Sequence, residues 1–245
     1  MLVESQIFKS RYEQTEVFEF YNELVDSFVS YLKNNENLNI SVDTDEETII
    51  AKNNFLKMPL EVQRLKLLNF QNYYDHCVKI VSDGESLRKK DISLKGFTFL
   101  YGLSIPSEDE IFELLEKDVF VEIYDKNFLQ IYRSPNWLET TSYGLKTLET
   151  QDWRNLFYRS EEILGKQMQV IKALYSGQVK QPIHKPIQVH TVKELKERAP
   201  YCCELESLLY SPVYDKYGEF TGGLHLLKLH DLRRLDFQVY SEPIL

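Results

Sequence analysis

The sequence has few cysteines, three in 245 residues, and two of them are adjacent at Cys202 and Cys203. Such a set gives no disulfide framework, and it contains no C-x-x-C pair of the kind that binds metals. We therefore expect reduced thiols and no metal site, with Cys203 as a buried strand residue.

Long apolar runs are also missing. No run approaches the roughly 20 residues that cross a bilayer. The N-terminus, MLVESQIFKS, lacks the basic start and apolar core of a signal peptide. These absences predict a cytoplasmic protein that has no membrane partner. The 43% of apolar residues and 13% of aromatics are enough for a packed core.

The chain has no excess of positive charge. Residues 1–118 carry 13 Lys and Arg against 22 Asp and Glu, and residues 119–245 carry 16 against 16, which gives the net charge of -9. An acidic surface without a basic stripe repels phosphate backbones. Nucleic acid is therefore not an expected partner.

Catalytic motifs are absent as well. The sequence has no Gly-x-Ser-x-Gly, no His-Glu-x-x-His and no glycine loop that would cradle a phosphate. An enzyme would need scattered residues such as His190, Glu204 and His225 to converge. We therefore expect a non-enzymatic protein and keep an unrecognised enzyme as an alternative.

The clearest fold signal is a long β-hairpin in residues 201–231. Two strand-like runs, 202–210 and 220–229, flank a turn at Asp215, Lys216, Tyr217 and Gly218. Alternation in the first run predicts that Cys203, Leu205, Ser207 and Leu209 share one face. In the second run it predicts that His225, Leu227 and Leu229 share a face, with Leu224 and Leu226 on the other.

Upstream of the hairpin, residues 119–124 and 128–132 predict two strands around a tight turn at Asp125-Lys126-Asn127. A long helix over residues 160–175 follows, ended by Ser176-Gly177. Residues 186–192 predict a further strand, and residues 193–200 a long turn.

This half of the chain, residues 119–232, resembles a PAS domain. The resemblance rests on the end of the hairpin, Ser211-Pro212-Val213-Tyr214-Asp215-Lys216-Tyr217-Gly218, followed by Gly222-Gly223 and His230-Asp231-Leu232. Further matches are Asn136-Trp137-Leu138, a reversed Tyr143-Gly144 pair and the segment 152–157 before the long helix. The resemblance implies a five-stranded antiparallel sheet with helices on one face and a sensory role. The cysteine motif of the flavin-binding branch is missing, and residues 165–175 hold no haem-ligating histidine, so no cofactor is expected.

The N-terminal half reads as helical. Residues 5–33 predict a long helix with a broad apolar stripe, formed by Val17, Phe18, Tyr21, Leu24, Val25, Phe28, Tyr31 and Leu32. Residues 59–83 predict its partner helix, whose apolar positions are Val62, Leu65, Leu68, Tyr73 or Tyr74, Cys77 and Val81. The stripe packs either in an intramolecular bundle, which we favour, or against a second copy of the chain.

The connections in this half are harder to assign. Residues 34–54 read as a polar connection in which Asp43 and Asp45 are solvated charges. Residues 94–103 fit a short strand or an extended connector. Ser107 and Glu110 fit a capping box that opens a short helix.

These observations together predict an α+β protein. Residues 1–105 form a helical region, residues 106–235 a PAS-like sensory domain and residues 236–245 a tail. The helical region offers surfaces for self-association or for a signalling protein. The leading functional hypothesis is a sensory or regulatory module that binds a small molecule or a protein partner. The alternative is a structural dimerisation module whose core is filled and which takes no ligand.

A ligand pocket would lie between the sheet and the long helix. Its expected lining is Trp137, Tyr143, Phe157, Met168, Ile171, Ile123, Ile131, Leu205 and His225. This set is mostly apolar with one titratable group, so it suits a small apolar or aromatic ligand.

Overall fold

The computed structural model describes residues 14–196 and 200–235. Its N-terminal helices are α1 (Gln14–Glu36), α2 (Asp45–Lys57), α3 (Leu60–Ser82) and α4 (Lys90–Leu100). Strand β1 (Leu103–Ser104) and helix α5 (Glu108–Glu113) follow, and then β2 (Val119–Asp125) and β3 (Gln130–Arg133). A 3₁₀ turn (Pro135–Thr140), α6 (Leu145–Thr150), a second 3₁₀ turn (Trp153–Asn155), β4 (Phe157–Tyr158) and α7 (Glu161–Tyr175) lead to β5 (Ile183–Glu194), β6 (Tyr201–Asp215) and β7 (Phe220–Arg234). The predicted tail and the predicted helical residues 5–13 lie outside the described segments.

The apolar stripe of α1 is buried within the chain. Its buried members are Val17, Phe18, Tyr21, Val25, Phe28 and Leu32. The ring of Phe28 packs edge-on against Phe70 of α3 at 5.4 Å, and Tyr21 stacks on Phe55 of α2 at 4.8 Å. Because the chain covers its own stripe, this is the packing of an intramolecular bundle.

Three local assignments in the N-terminal half were wrong. Residues 45–57 form helix α2 rather than a connection, and Thr44 and Glu47 close a capping box at its start. Residues 94–103 belong mainly to helix α4, whose buried face includes Leu94 and Phe97. Ser107 adopts a left-handed φ of 56°, and its side chain makes no cap hydrogen bond within the described residues, although helix α5 does begin after it. A short apolar run such as FTFL does not distinguish strand from helix, which explains the error in α4.

Helix α3 has nearly the predicted extent, and the predicted Tyr73 and Cys77 are buried, but the buried face is shifted in the first turns. Val62 and Leu65 are half-buried, whereas Gln63 and Leu67 are buried. The side-chain amide of Gln63 donates a hydrogen bond to the carbonyl of Met58 at 2.8 Å. A polar side chain whose amide nitrogen is hydrogen-bonded therefore occupies a place that the apolar pattern had assigned to a neighbour.

The strands of the described residues join one antiparallel sheet in the order β3-β2-β7-β6-β5-β4, with β1 beside β6. The α+β class is confirmed, but the sheet has seven strands instead of five. The two additional strands, β1 and β4, have two residues each and pair with β6 and β5 at the margins of the sheet. Segments this short carry no alternation that a sequence pattern can reveal.

A bulge in β6 changes the faces of the hairpin. Ser207 is paired with Leu227, but Leu209 is paired with Leu226, so Leu208 is an extra residue in the ladder. An inserted residue reverses the alternation beyond it. Leu205 therefore lies on the face of Leu227, and Leu209 lies on the opposite face, which corrects the prediction that they share one.

Helices lie on both faces of the sheet. On one face, Val121 and Leu226 belong to the same buried core as Phe28 and Phe70 of the N-terminal helices. Helix α7 packs against the other face, over β5, β6 and β7. The expectation of helices on a single face was wrong, because the N-terminal helices share a core with the sheet across the predicted boundary at residue 105.

Within the described segments, no helix has both the length and the apolar character that a bilayer crossing requires.

Candidate functional site

A cavity lies between helix α7 and the sheet face opposite the N-terminal helices. It has a volume of about 160 Å³. Its apolar and aromatic lining includes Phe120, Phe128, Trp137, Leu148, Trp153, Leu156, Phe157, Ile171, Leu174, Tyr175, Val192, Leu205 and Leu227. Its polar lining includes Glu122, Tyr124, Arg133, Thr140, Arg159, Gln167, Cys203, Tyr210 and His225. A mostly apolar enclosure with a few convergent polar groups is the usual form of a small-molecule site.

The structure brings five of the predicted pocket residues to this cavity. They are Trp137, Phe157, Ile171, Leu205 and His225. The other four predicted residues do not line it, and each has a separate physical reason.

Two of these four residues lie on strands β2 and β3. Alternation along β2 turns Glu122 toward the cavity and Ile123 toward the N-terminal helices, where it is fully buried. Ile131 lies where the register of the β2-β3 pair shifts, and it packs against the main core. An error of one residue along a strand therefore assigns a side chain to the opposite face of the sheet.

The remaining two residues lie on the helical side. Met168 is 41% exposed, because helix α7 turns Gln167, Ile171 and Leu174 inward instead. Tyr143 packs edge-on against Phe157 at 5.7 Å, and its hydroxyl donates a hydrogen bond to the carbonyl of Leu156 at 3.1 Å. Tyr143 therefore supports a lining residue from behind.

The buried pair Glu122 and Arg133 was missed. The two residues are directly paired on β2 and β3, and the Arg133 Nε lies 3.7 Å from the Glu122 carboxylate. Gln130 donates a hydrogen bond to Glu122 at 3.1 Å, and the Arg133 guanidinium lies 4.3 Å from the centre of the Trp137 ring. A glutamate inside the apolar run VFVEIY was the signal that could have found this pair.

His225 lies in the cavity wall as a neutral imidazole. Its ring stacks on Tyr210 at 3.9 Å, and its Nε2 lies 3.0 Å from the Ser207 hydroxyl. Burial, together with the positive charge of Arg159, lowers the pKa of His225 well below its ordinary value. Its Nδ1 lies 3.9 Å from Glu122, a distance that is too long for a hydrogen bond.

Arg159 is a half-buried arginine in the same wall, and its place there was also missed. Its guanidinium lies 4.9 Å from the centre of the Trp153 ring and 5.9 Å from that of Phe157. Its Nη1 is buried and finds no hydrogen-bond partner among residues 14–196 and 200–235. Burial lowers the pKa of Arg159.

The remaining titratable groups of the wall are uncharged near neutral pH. Burial raises the pKa of the Cys203 thiol to about 12 and raises that of the Tyr210 hydroxyl. The thiol contacts the carbonyl of Val192 at 3.7 Å. In the described part of the chain, no group of three or more His, Cys, Asp or Glu residues is arranged to hold a metal ion.

Two polar links connect the cavity region to the N-terminal helices. Glu149 of α6 lies 3.7 Å from the Arg133 guanidinium and 3.6 Å from the ammonium of Lys66 on α3. The Asp43 carboxylate accepts hydrogen bonds from the backbone N–H groups of Lys146 and Thr147 at 2.9 and 3.1 Å. Asp43 therefore caps α6 from a distant segment and is not the solvated charge that was expected.

In comparisons with known proteins, no family model matches this chain, and no curated protein matches it either.

Proposed function

We propose that this protein is a non-enzymatic sensory or regulatory module that binds a small molecule in the cavity between helix α7 and the sheet. The observation that carries the proposal is the cavity itself, about 160 Å³ in volume and walled mainly by apolar and aromatic side chains. An engineered apolar cavity of about 150 Å³ is known to take up benzene. A compact ring-sized ligand therefore matches the space.

The order of elements supports a PAS-like sensor. A strand pair, short helices, the long helix α7 and three further strands follow one another as the resemblance implies. The hairpin also turns at the predicted residues, Asp215 to Gly218. The Asp215 carboxylate accepts hydrogen bonds from the N–H groups of Tyr217 and Glu219. The family assignment is part of the proposal.

The chemistry of the wall favours binding over catalysis. A general base works best with a pKa near the working pH, and a nucleophilic cysteine needs a lowered pKa. The pKa of His225 is well below its ordinary value, and that of Cys203 is raised to about 12. Of the three residues that an enzyme would have to bring together, His225 lines the cavity, while His190 and Glu204 do not.

A route for output also supports a regulatory role. A ligand that moves Arg133 also changes its contact with Glu149, which joins helix α6 to Lys66 of α3. The N-terminal helices, through self-association or contact with a signalling protein, are the proposed receivers of such a change. Differential contacts in the bound and free states are what any such coupling requires.

The test is a thermal-shift screen of the full chain against a library of small metabolites. A ligand that binds only the folded protein stabilises it by about 2.7 kcal/mol at a hundredfold excess over its Kd. Each hit is repeated with Ile171→Trp, which fills the cavity from α7, and with the matched control Met168→Trp on the exposed side of the same helix.

We expect hits that Ile171→Trp abolishes and Met168→Trp leaves intact. Circular dichroism checks that both variants fold. An empty screen, or hits that survive Ile171→Trp, would contradict the proposal and favour a structural dimerisation module instead.

A further inference from the structure

We infer that the ligand of the cavity is a small aromatic carboxylate whose carboxylate binds Arg159 and whose ring lies against the apolar wall. This inference rests on the proposed function, because it takes the cavity to be a binding site. It adds the chemical class of the ligand.

The first step is the state of Arg159. A buried cation ordinarily has a carboxylate or a set of hydrogen bonds to compensate it. The Nη1 of Arg159 is buried without a hydrogen bond, and its contacts are the faces of Trp153 and Phe157. Arg154, five residues earlier, shows the ordinary arrangement, since its Nε donates to Asp152 at 2.9 Å. In the described chain, Arg159 lacks the acceptor that its neighbour has.

The second step compares the two arginines of the wall. The Nε and Nη1 of Arg133 also form no hydrogen bond in the described chain, but Arg133 lies between two carboxylates, Glu122 and Glu149, each at 3.7 Å. Arg159 shares the cavity with Glu122, whose charge is already close to Arg133. Among the described residues, Arg159 is thus the cavity cation whose charge is left without a close carboxylate.

The third step is the net charge of the wall. Its charged groups, among the described residues, are Arg133, Arg159 and Glu122. His225 is neutral because burial and Arg159 lower its pKa, and burial raises the pKa of Cys203 and of the tyrosines Tyr124, Tyr175 and Tyr210. In the wall itself two positive charges face one negative charge, and Glu149 behind the wall is shared between Arg133 and Lys66. A single added negative charge balances the wall, which fits a monoanion.

The fourth step is the shape of the ligand. A guanidinium fork matches the two oxygens of a carboxylate in a planar, bidentate contact. Trp137, Phe157, Leu205 and Ile171 supply apolar wall in the same cavity. The volume of about 160 Å³ limits the apolar part to about one ring. Benzoate is the simplest molecule that meets both requirements.

The experiment titrates three probes into the full chain by calorimetry at pH 7. Benzoate carries a ring and a carboxylate, benzamide carries the ring with an uncharged amide, and acetate carries the carboxylate without a ring. We expect benzoate to bind at least tenfold more tightly than either of the others. Arg159→Gln should remove this preference, so that benzoate and benzamide bind within about twofold of each other. Arg154→Gln is the matched control, because Arg154 is exposed and already paired, and it should leave all three affinities unchanged.

A second readout separates ligand binding from structural support. Arg159→Gln removes a charge that has no close carboxylate among the described residues and loses only the contacts with the Trp153 and Phe157 rings, so the Tm of the ligand-free variant should stay close to that of the wild type. At the same time, the variant should lose the rise in Tm that benzoate gives. A ligand-free variant that melts well below the wild type would show that Arg159 is a structural residue, and the inference would fall.

The outcomes distinguish this inference from the proposed function. If benzamide binds as tightly as benzoate and Ile171→Trp abolishes both, the cavity is a binding site and the inference about charge is wrong. If benzoate does not bind at millimolar concentration, the inference is also wrong, and the library screen decides the proposed function separately. Benzoate binding that persists in Arg159→Gln would also show that the inference is wrong.

Discussion

Replacing Gly144 by alanine should break the link between Asp43 and helix α6. A Cβ built on Gly144 would lie 2.2 Å from the Asp43 Oδ2 and 2.3 Å from the Asp43 backbone nitrogen. The backbone of Gly144, with φ -73° and ψ 164°, is one that alanine adopts freely. The cost is therefore steric, and it falls on the contact between two segments about 100 residues apart.

The magnitude follows from three terms. Loss of the hydrogen bonds from Lys146 and Thr147 to Asp43 removes the cap of α6, and caps contribute about 0.5 to 2 kcal/mol. Displacing the closely packed Asp43 segment costs about 1 to 3 kcal/mol. The unfolded alanine variant has less conformational entropy than the unfolded glycine chain, which stabilises the folded state by about 0.4 to 1 kcal/mol. The free energy of unfolding should fall by about 1 to 4 kcal/mol.

Urea unfolding followed by tryptophan fluorescence measures this change. The matched control is Gly165→Ala, because a Cβ at Gly165 on helix α7 meets no atom within 4 Å. That control should raise the free energy of unfolding by about 0.5 to 1 kcal/mol, since alanine is the better helix former. If Gly144→Ala proves as stable as the wild type while Gly165→Ala behaves as stated, the Asp43 cap is not a structural contact.

Two further predictions concern the core and the buried histidine His76. Leu227 is buried with Phe120 and Leu205. Leu227→Ala should therefore lower the free energy of unfolding by about 2 to 5 kcal/mol in the same urea assay. An unchanged midpoint would show that the hairpin is not part of the core. Burial lowers the pKa of His76 from 6.5 to about 4. As the pH falls from about 6.5 toward 4, His76 binds a proton in the unfolded chain but not in the folded chain, so the folded state loses stability. Between pH 7 and 4.5 the wild type should lose about 2 kcal/mol more than His76→Phe, and equal losses would contradict the assigned burial.

The elements that were predicted correctly carry their signals locally. Helix α7 has its cap at Ser160, whose hydroxyl accepts a hydrogen bond from the N–H of Ile163, and Gly177 follows the helix with a φ of 74°. The β6-β7 hairpin has its turn residues at Asp215 and Gly218. Such features depend on a few neighbouring residues, so a sequence pattern is enough to place them.

The faces of these elements were predicted less well, because they depend on registers set by distant partners. The bulge at Leu208 is fixed by pairing with β7, and it moves Leu209 to the other side of the sheet. The rotation of α7 is fixed by packing over the sheet, and it turns Gln167 rather than Met168 toward the cavity. An error of one residue in either place exchanges wall residues for exposed or core residues.

The polar half of the site could not be predicted because its contacts join distant parts of the chain. Glu149 reaches Lys66 of α3, and Asp43 caps α6 across more than 100 residues. No spacing in the sequence records such pairs. Glutamates and aspartates read singly are assigned to solvent, since most of them are exposed.

One sequence signal for the polar wall was nevertheless present. A strand buried on both faces reads as an apolar run, and Glu122 interrupts such a run on β2 while Arg133 lies opposite it on β3. His225 interrupts the run on β7 next to Glu122 in the register. Because each of these polar groups is costly to bury, their coincidence on three neighbouring strands requires a compensating arrangement. The polar interruptions of these apolar strands therefore mark the wall of the site.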